Sequence, residues 1–340
     1  MSAISSKARI SCSIVIFPVT ECTALWIEAP YSATLRSTKL AEPKKNELCI
    51  RARCSAISRG TEKLVYQGRI PESEYGRMRC PFQKGDFPFP VQYGYSMVGE
   101  VVSGDESWLG ASIFTLHPHQ DLFCIPVSAA HRIPSALPLQ RAVLAANMET
   151  ALNVLWDASP HIGERITVIG AGVLGCLIAS LAATIPGTEV DLIDIHPDRA
   201  VLAQRLGCTF HQPDAALGNS ELILHASGTE SGLKLALELA AFEGRVIEVS
   251  WFGDTSITLP LGKAFHSRRL QLISSQVGQV SSTMRGRRNH TQRMALALSL
   301  LNDPRLDVLL EPGIPFAEAP QALKYACDPE NKLLCQIIEY

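Results

Sequence analysis

The sequence predicts an α/β protein in which a doubly wound parallel sheet follows a β-rich first domain. Three observations carry that prediction. After Leu139, short apolar strands at 166–169, 190–193, 222–225, 246–250 and 270–274 alternate with helical patterns, as in a parallel sheet covered on both faces. Before it, from about Cys22 to Ser103, runs such as 48–54 and 98–102 alternate with turn residues in a barrel-like texture. The first parallel strand also runs directly into Gly170, Gly172 and Gly175, spaced GxGxxG.

Each part of the segment 165–194 has a physical task. Gly170 allows a tight turn, Gly172 lets a pyrophosphate approach the backbone, and Gly175 lets the following helix pack closely on the strand. That helix, 173–183, is almost wholly apolar or small. At its start the N–H groups of Val173 and Leu174 and the helix dipole favour an anion. Pro186 and Gly187 end it, and the next strand closes with Asp194, 19 residues after Gly175. A carboxylate there accepts hydrogen bonds from both ribose hydroxyls and repels a 2′-phosphate. Ile195, His196 and Pro197 supply no arginine, so NAD is preferred over NADP. Arg199 qualifies that preference, because it could serve a phosphate or the other ribose hydroxyl. The alternative is a glycine-rich packing turn, but the strand, helix and strand-end acid around the motif favour a dinucleotide site and an NAD-linked oxidoreductase.

A length of 340 residues suits two domains. The expected division is a first domain at 1–147, with 1–21 as an extension, a dinucleotide domain at 148–290, and a tail at 291–340 that returns to the first domain. A net charge of −2 and a pI near 6.5 give no basic field for nucleic acid or anionic lipid. The basic run 284–293, ahead of a helix at 293–301, reads as a solvated loop. The ten cysteines form no CxxC pair and read as reduced, mostly buried thiols of a cytoplasmic protein. Lys7 and Arg9 precede an apolar patch at 14–17 that is too broken for a signal peptide and reads as a strand or loose extension. No stretch approaches the roughly 20 apolar residues of a membrane span. The end of the chain reads as Pro312-Gly-Ile-Pro315 followed by a helix and a strand ending at Tyr340.

Six segments together carry a family resemblance: SAISRGTE at 55–62, YGYSMVGE at 93–100, AANMET at 145–150, the glycine motif, HASG at 225–228 and SWFG at 250–253. Over roughly 23–340 the chain resembles the medium-chain dehydrogenase/reductase superfamily, which holds the zinc-type alcohol dehydrogenases and their zinc-free relatives. Within it the chain looks most like the branch that includes the bacteriochlorophyllide hydroxyethyl dehydrogenases. The resemblance implies a GroES-like β-barrel catalytic domain, a Rossmann sheet, a small-molecule substrate and a homo-oligomer. The departures are as informative. Ser58 stands at the first cysteine ligand, Gly94-Tyr95-Ser96 replaces Gly-His-Glu, and the third ligand position falls near Ala146 or Asn147. Catalytic zinc needs about three His, Cys or acidic ligands, and none is found. The structural-zinc stretch, 114–128, holds only Cys124. No zinc is expected.

Without a metal, side chains must donate to a developing oxyanion or relay the alcohol proton. The resemblance places Ser58, Arg59, Glu62, Tyr95 and Ser96 around the former metal pocket. Tyr95 is the first choice as donor, the alternative being a ring that only fills vacated volume. His117-Pro118-His119 offers a relay; its alternatives are a stiff loop with surface histidines or a new metal site lacking a third ligand. Glu62 is either catalytic or salt-bridged to Arg59. Toward the cofactor, the resemblance and the sheet edge suggest Ser227 in the loop 225–228, residues 251–253, Ser274, Ser275 and Gln276, and Thr150 ahead of a helix at 151–156. His266, Arg268 and Arg269 could hold an acidic substrate, a subunit contact or only a solvated turn. The expected reaction interconverts a secondary alcohol and a ketone with Tyr95 or His119 as proton donor and acceptor. The alternatives are reduction of an activated carbon–carbon double bond and a non-catalytic dinucleotide-binding protein. The segment 75–89, rich in Pro, Phe and Arg, carries no motif that names the substrate.

Overall fold

Alternating burial along the central barrel strand shows how the first half is built. The structure, a computed structural model, describes residues 21–40, 42–328 and 330–340, so the patch at 14–17 lies outside it. Among the described residues nine strands make up this half: β1 (Glu21–Ala29), β2 (Ser32–Lys39), β3 (Glu47–Ile57), β4 (Lys84–Gly85), β5 (Val91–Gln92), β6 (Met97–Ser103), β7 (Ser112–Thr115), β8 (Leu122–Pro126) and β9 (His131–Arg132). In β3, Leu48, Ile50, Ala52 and Cys54 point inward while Arg51 and Arg53 face solvent, the period of two that a half-buried strand requires. One sheet runs β2-β1-β5-β4; in the other, β3, β6, β7 and β9 lie in series and β8 also pairs with β3. Leu48, Ile50, Met97, Ile113, Phe123 and Ile125 fill the space enclosed.

The pairing of β3 with β8 corrects one expectation. Cys49 and Cys124 lie directly opposite in that ladder, with Cα atoms 4.2 Å apart, and are joined as a disulfide. A separation of 75 residues hides such a pair from any reading of spacing. The other seven described cysteines are buried free thiols.

Helices α1 (Thr61–Gln67), α2 (Leu139–Ala142) and α3 (Ala145–Ala158) lead into the second half. Its strands are β10 (Arg165–Ile169), β11 (Glu189–Ile193), β12 (Thr209–His211), β13 (Ser220–His225), β14 (Ala240–Glu248) and β15 (Gln271–Ser274). All pair in parallel, in the order β12-β11-β10-β13-β14-β15. This order reverses between β10 and β13, which opens a crevice at their carboxyl ends. Helices α4 (Val173–Ala182), α5 (Arg199–Leu206), α6 (Glu230–Leu239) and α7 (Ala264–Ser267) connect them. Two boundaries differ from expectation: β14 begins at Ala240 and stops at Glu248, leaving Val249 and Ser250 in the loop beyond. The three-residue β12 is too short to show a period. A Rossmann sheet thus follows a GroES-like barrel.

The tail comprises α8 (His290–Leu300), β16 (Ile314–Pro315), α9 (Ala319–Ala326) and β17 (Gln336–Glu339). β17 pairs antiparallel with β3, from Gln336 opposite Ile57 to Glu339 opposite Cys54. No helix among the described residues is long and apolar enough to cross a membrane.

The basic run 284–293 divides in two. Arg285, Arg287 and Arg288 are exposed, but Arg293 is 2% exposed, because α8 turns it against α3. Its guanidinium donates to Glu149 Oε1 (3.0 Å), Asn153 Oδ1 (2.6 Å) and the carbonyls of Val277 (2.7 Å) and Gln279 (3.1 Å). Burial raises the Glu149 carboxyl above its usual range and Arg293 pulls it back. Removing one member of a buried pair strands the other charge. Arg293→Met should therefore cost about 3–5 kcal/mol in urea unfolding, and adding Glu149→Met should recover much of that loss.

Candidate functional site

The crevice between β10 and β13 is shaped by three glycines, each for its own reason. Gly170 has φ +105°, and a Cβ there would lie 2.7 Å from Ser227 Cα and N. A Cβ on Gly175 would collide with the Gly170 carbonyl oxygen. Gly172 faces open space, with nothing within 4 Å of a Cβ. The first glycine makes the turn, the third seats α4, and the second leaves the approach clear. α4 starts with Gly172 as N-cap and no side-chain cap, so the N–H groups of Val173 and Leu174 are available to an anion. At the end of β11, Asp194 Oδ2 accepts from Ala171 N (2.7 Å) and Oδ1 from His196 N (2.9 Å). These bonds hold the carboxylate beside the glycine turn. The residues fit a dinucleotide, with an open backbone approach for phosphates and an acid for a ribose.

Other residues expected here are placed less simply. Arg199 donates to the Lys332 carbonyl in the tail. Thr150 lies within α3, where its hydroxyl donates to Ala146 O (2.9 Å); the helix starts at Ala145, earlier than expected, since 145–150 contains no breaker. Ser275 Oγ donates to Asp157 (2.6 Å), and Gln276 Oε1 accepts from Gly278 N (2.7 Å). Phe252 lies with its ring 6.3 Å from that of His225. Arg268 donates to the carbonyls of Glu238 and Ala240, and Arg269 pairs with Glu243.

The pocket where the resemblance would place a metal is lined by hydroxyls. Ser58 follows β3, Tyr95 precedes β6, and the fold brings them together: Tyr95 Oη donates to Ser58 Oγ at 2.5 Å. Burial, reinforced by the Glu62 carboxylate, pushes the Tyr95 phenol up to about 12, so it stays protonated at neutral pH. Ser96 is buried and donates to the Val143 carbonyl, away from this pair. Ala146 lies in the first turn of α3. Two hydroxyls and a methyl do not make a zinc site. Among the described residues no group of three His, Cys, Asp or Glu side chains could hold a metal.

His119 and Glu62 meet behind this pocket. His119 Nε2 is 3.0 Å from Glu62 Oε2 and its Nδ1 is 2.8 Å from Ser55 Oγ, which lies 3.0 Å from Tyr340 Oη. Glu62 Oε1 accepts the Ser58 N–H at 2.8 Å. Gly94 makes room, since a Cβ there would be 2.9 Å from the His119 ring. Two expectations are corrected. Glu62 is not bridged to Arg59: the first turn of α1 faces Glu62 inward, while Arg59 donates to the tail carbonyls of Ala326, Asn331 and Leu333. The two histidines are not on the surface: His117 is 4% and His119 0% exposed. His117 stacks between Phe82 and Phe123, at 5.4 and 3.8 Å. Burial pushes it down to about 3, so it is neutral. Sequence reasoning missed Ser55 and Tyr340 as partners; no local signal marks them, since each partner is distant in sequence.

No family model matches the chain. Over 144 residues it is 31% identical to an uncharacterized zinc-type alcohol dehydrogenase-like protein of Haemophilus influenzae, a match covering 39% of the chain and 42% of that relative. The matched region is thus under half the length of that relative. Over 322 residues it is 21% identical to the D-guloside 3-dehydrogenase of Escherichia coli K12, covering 85% of the chain and 91% of the relative. A protein described as a zinc-binding dehydrogenase, from Sinorhizobium meliloti 1021 and bound to NADP, superposes with a TM-score of 0.76 at 16% identity, covering 94% of the chain and 100% of that structure. That last likeness is one of fold.

His117 makes acid stability a test of this packing. Its folded pKa of about 3 lies below the unfolded value of 6.5, so the unfolded chain binds the extra proton. The stability is fully present above the unfolded pKa and is lost as pH falls from there toward the folded value. Two pH units below the unfolded pKa the loss from this group should be about 2–3 kcal/mol. Urea midpoints of the protein and of His117→Phe across that range should converge on acidification.

Proposed function

We propose that the chain, similar in sequence and fold to dehydrogenases of the medium-chain type, is an NAD-dependent, zinc-independent oxidoreductase interconverting a secondary alcohol and a ketone. The observation that carries the reading is the Tyr95–Ser58 hydroxyl pair at the place of two metal ligands. A bound nicotinamide dinucleotide supplies or accepts the hydride. Because Ser58 Oγ receives the Tyr95 hydrogen, its own O–H is free to donate to a substrate oxygen. In reduction, the alkoxide that forms takes the Ser58 proton, Ser58 recovers one from Tyr95, and water reprotonates the phenolate. His119 reaches Ser58 only through Glu62 and the Ser58 backbone N–H. It is therefore a positioning residue that holds the turn bearing the donor.

Asp194 supports NAD as the preferred dinucleotide, because a 2′-phosphate would meet its carboxylate. It also weighs against double-bond reduction, which the zinc-free quinone reductase relatives usually run with NADPH. The relative matched over most of the chain is named for oxidation at a sugar carbon, so secondary alcohols of glycosides and polyols are the first substrates to assay.

The test uses protein stripped with chelator, with metal content measured before and after, titrated with NADH and NADPH by fluorescence, then assayed against that substrate panel. Activity should survive stripping, and NADH should bind more tightly than NADPH. Ser58→Ala and Tyr95→Phe should each lower kcat by roughly 10- to 100-fold while NADH affinity is kept. Stoichiometric zinc whose removal abolishes turnover, or a preference for NADPH, would overturn the corresponding part of the reading.

The phenol's ionisation fixes a pH dependence. Oxidation needs the pair to accept a proton, and Tyr95 is deprotonated in only a small fraction of molecules well below about 12. The oxidation rate should climb with pH toward that value, whereas the reduction rate stays level through neutral pH. A plateau in oxidation near neutrality would assign proton uptake to another group.

A further inference from the structure

At the carboxyl ends of β13 and β14 lies a chain of polar groups that the proposed chemistry does not use. Glu248 Oε1 accepts the Ser250 N–H at 2.8 Å, and Oε2 lies 2.7 Å from His225 Nδ1. His225 is fully buried, and its Nε2 lies 2.7 Å from Ser227 Oγ. Ser227 Oγ is 2.9 Å from Thr229 Oγ1, which accepts the Gly232 N–H at 3.1 Å as N-cap of α6. Gly232 shows how tightly the group is packed: a Cβ there would lie 2.7 Å from His225 Nε2.

The donors and acceptors can be assigned along this chain. A carboxylate only accepts, so His225 Nδ1 carries the hydrogen facing Glu248. In that tautomer Nε2 is an acceptor, and the Ser227 hydrogen is committed to it. Thr229 Oγ1 already accepts from Gly232, so its hydrogen turns to Ser227 Oγ. The Ser227 oxygen then has one lone pair left, and the residue is partly exposed at the crevice. Whatever binds there must donate a hydrogen bond. A ribose hydroxyl can do so; a phosphate oxygen cannot.

Position decides which ribose. Ser227 follows β13, on the side of β10 opposite to β11 and Asp194. A dinucleotide spanning the crevice with its adenosine ribose at Asp194 carries its nicotinamide half over β13 and β14. We infer that Glu248 and His225 hold Ser227 Oγ as a hydrogen-bond acceptor for the ribose on the nicotinamide side of the bound dinucleotide. Ser227 touches the cofactor, and His225 and Glu248 are positioning residues that act through it. The inference rests on the dinucleotide reading and adds to it.

The test compares three ligands on the intact protein, Ser227→Ala and Glu248→Gln: NADH by fluorescence, and ADP-ribose and ADP by calorimetry. ADP lacks the second ribose and reports whether the cleft is intact. In Glu248→Gln the amide oxygen keeps the Ser250 N–H, so the amide N–H faces Nδ1 and reverses the tautomer. Ser227→Ala should bind NADH and ADP-ribose roughly tenfold more weakly, the effect of one hydrogen bond, with ADP unchanged; Glu248→Gln, which turns Ser227 from acceptor to donor toward a hydroxyl that can also accept, should fall between Ser227→Ala and the unaltered protein. Unchanged NADH affinity in either variant, or ADP weakened as much as NADH, would overturn the inference. An unaltered protein that binds ADP but gains nothing from the second ribose would also overturn it. If it binds none of the three, the dinucleotide reading itself fails, and the inference with it.

Discussion

The antiparallel pairing of β17 with β3 is the contact on which the two halves depend. Four residue pairs, from Gln336–Ile57 to Glu339–Cys54, stitch the tail into the barrel sheet after the chain has completed the parallel sheet. The pairing sets Tyr340 Oη against Ser55, at the far end of the His119–Glu62 chain. It also fixes the tail loop whose carbonyls at Ala326, Asn331 and Leu333 receive Arg59, while Arg199 of the other half donates to Lys332 between them. Arg59 and Arg199 repel each other and Arg59 is depressed by desolvation and by that neighbour. Backbone carbonyls are what make their approach tolerable. A short β-pairing thus holds barrel and sheet to one loop beside the crevice.

The parallel half was legible because its signals are local. Apolar runs of four or five residues, glycines at fixed offsets and an acid at a strand end all lie within 30 residues, and each has a steric or electrostatic reason that does not depend on the rest of the chain. Gly170 and Gly175 illustrate this: neither tolerates a Cβ, so the sequence had to show glycine there. The errors arose where neighbouring residues diverge in space. Arg59 and Glu62 sit one turn apart and look like a pair, yet they leave the loop in opposite directions. Arg293 closes a basic run that looks solvated, but helical geometry turns it inward.

The pocket's long-range partners were invisible for a different reason. His119 and Glu62 are 57 residues apart and Ser55 and Tyr340 are 285 apart. Only the assembled fold joins them, with Glu62 on α1, His119 in the loop before β8 and Tyr340 after β17, and the barrel strands alternate too similarly to specify their pairing. The Cys49–Cys124 pair has the same origin. What could be read was the resemblance-based position of Ser58 and Tyr95, and the structure places these two side chains in hydrogen-bond contact.

On the proposed reading, hydroxyls at the place of metal ligands have an electrostatic consequence beyond the ligands themselves. An alkoxide developing beside a carboxylate is disfavoured by like charge, and a divalent cation between them would remove that penalty. Ser58 and Tyr95 bring no formal charge, so on the proposed reading the charge of Glu62 must be offset by other means. The observed offsets are His119 on Oε2 and the Ser58 N–H on Oε1. Both carboxylate oxygens are thereby engaged. Burial first and the Glu62 carboxylate second raise the Tyr95 phenol, so the carboxylate is still felt in the pocket and the phenol stays in the protonated form that a donor requires. On the proposed reading the buried His119–Glu62 pair and the Tyr95–Ser58 hydroxyls are therefore interdependent: without the histidine, the carboxylate would oppose the oxyanion that the reading assigns to the hydroxyls.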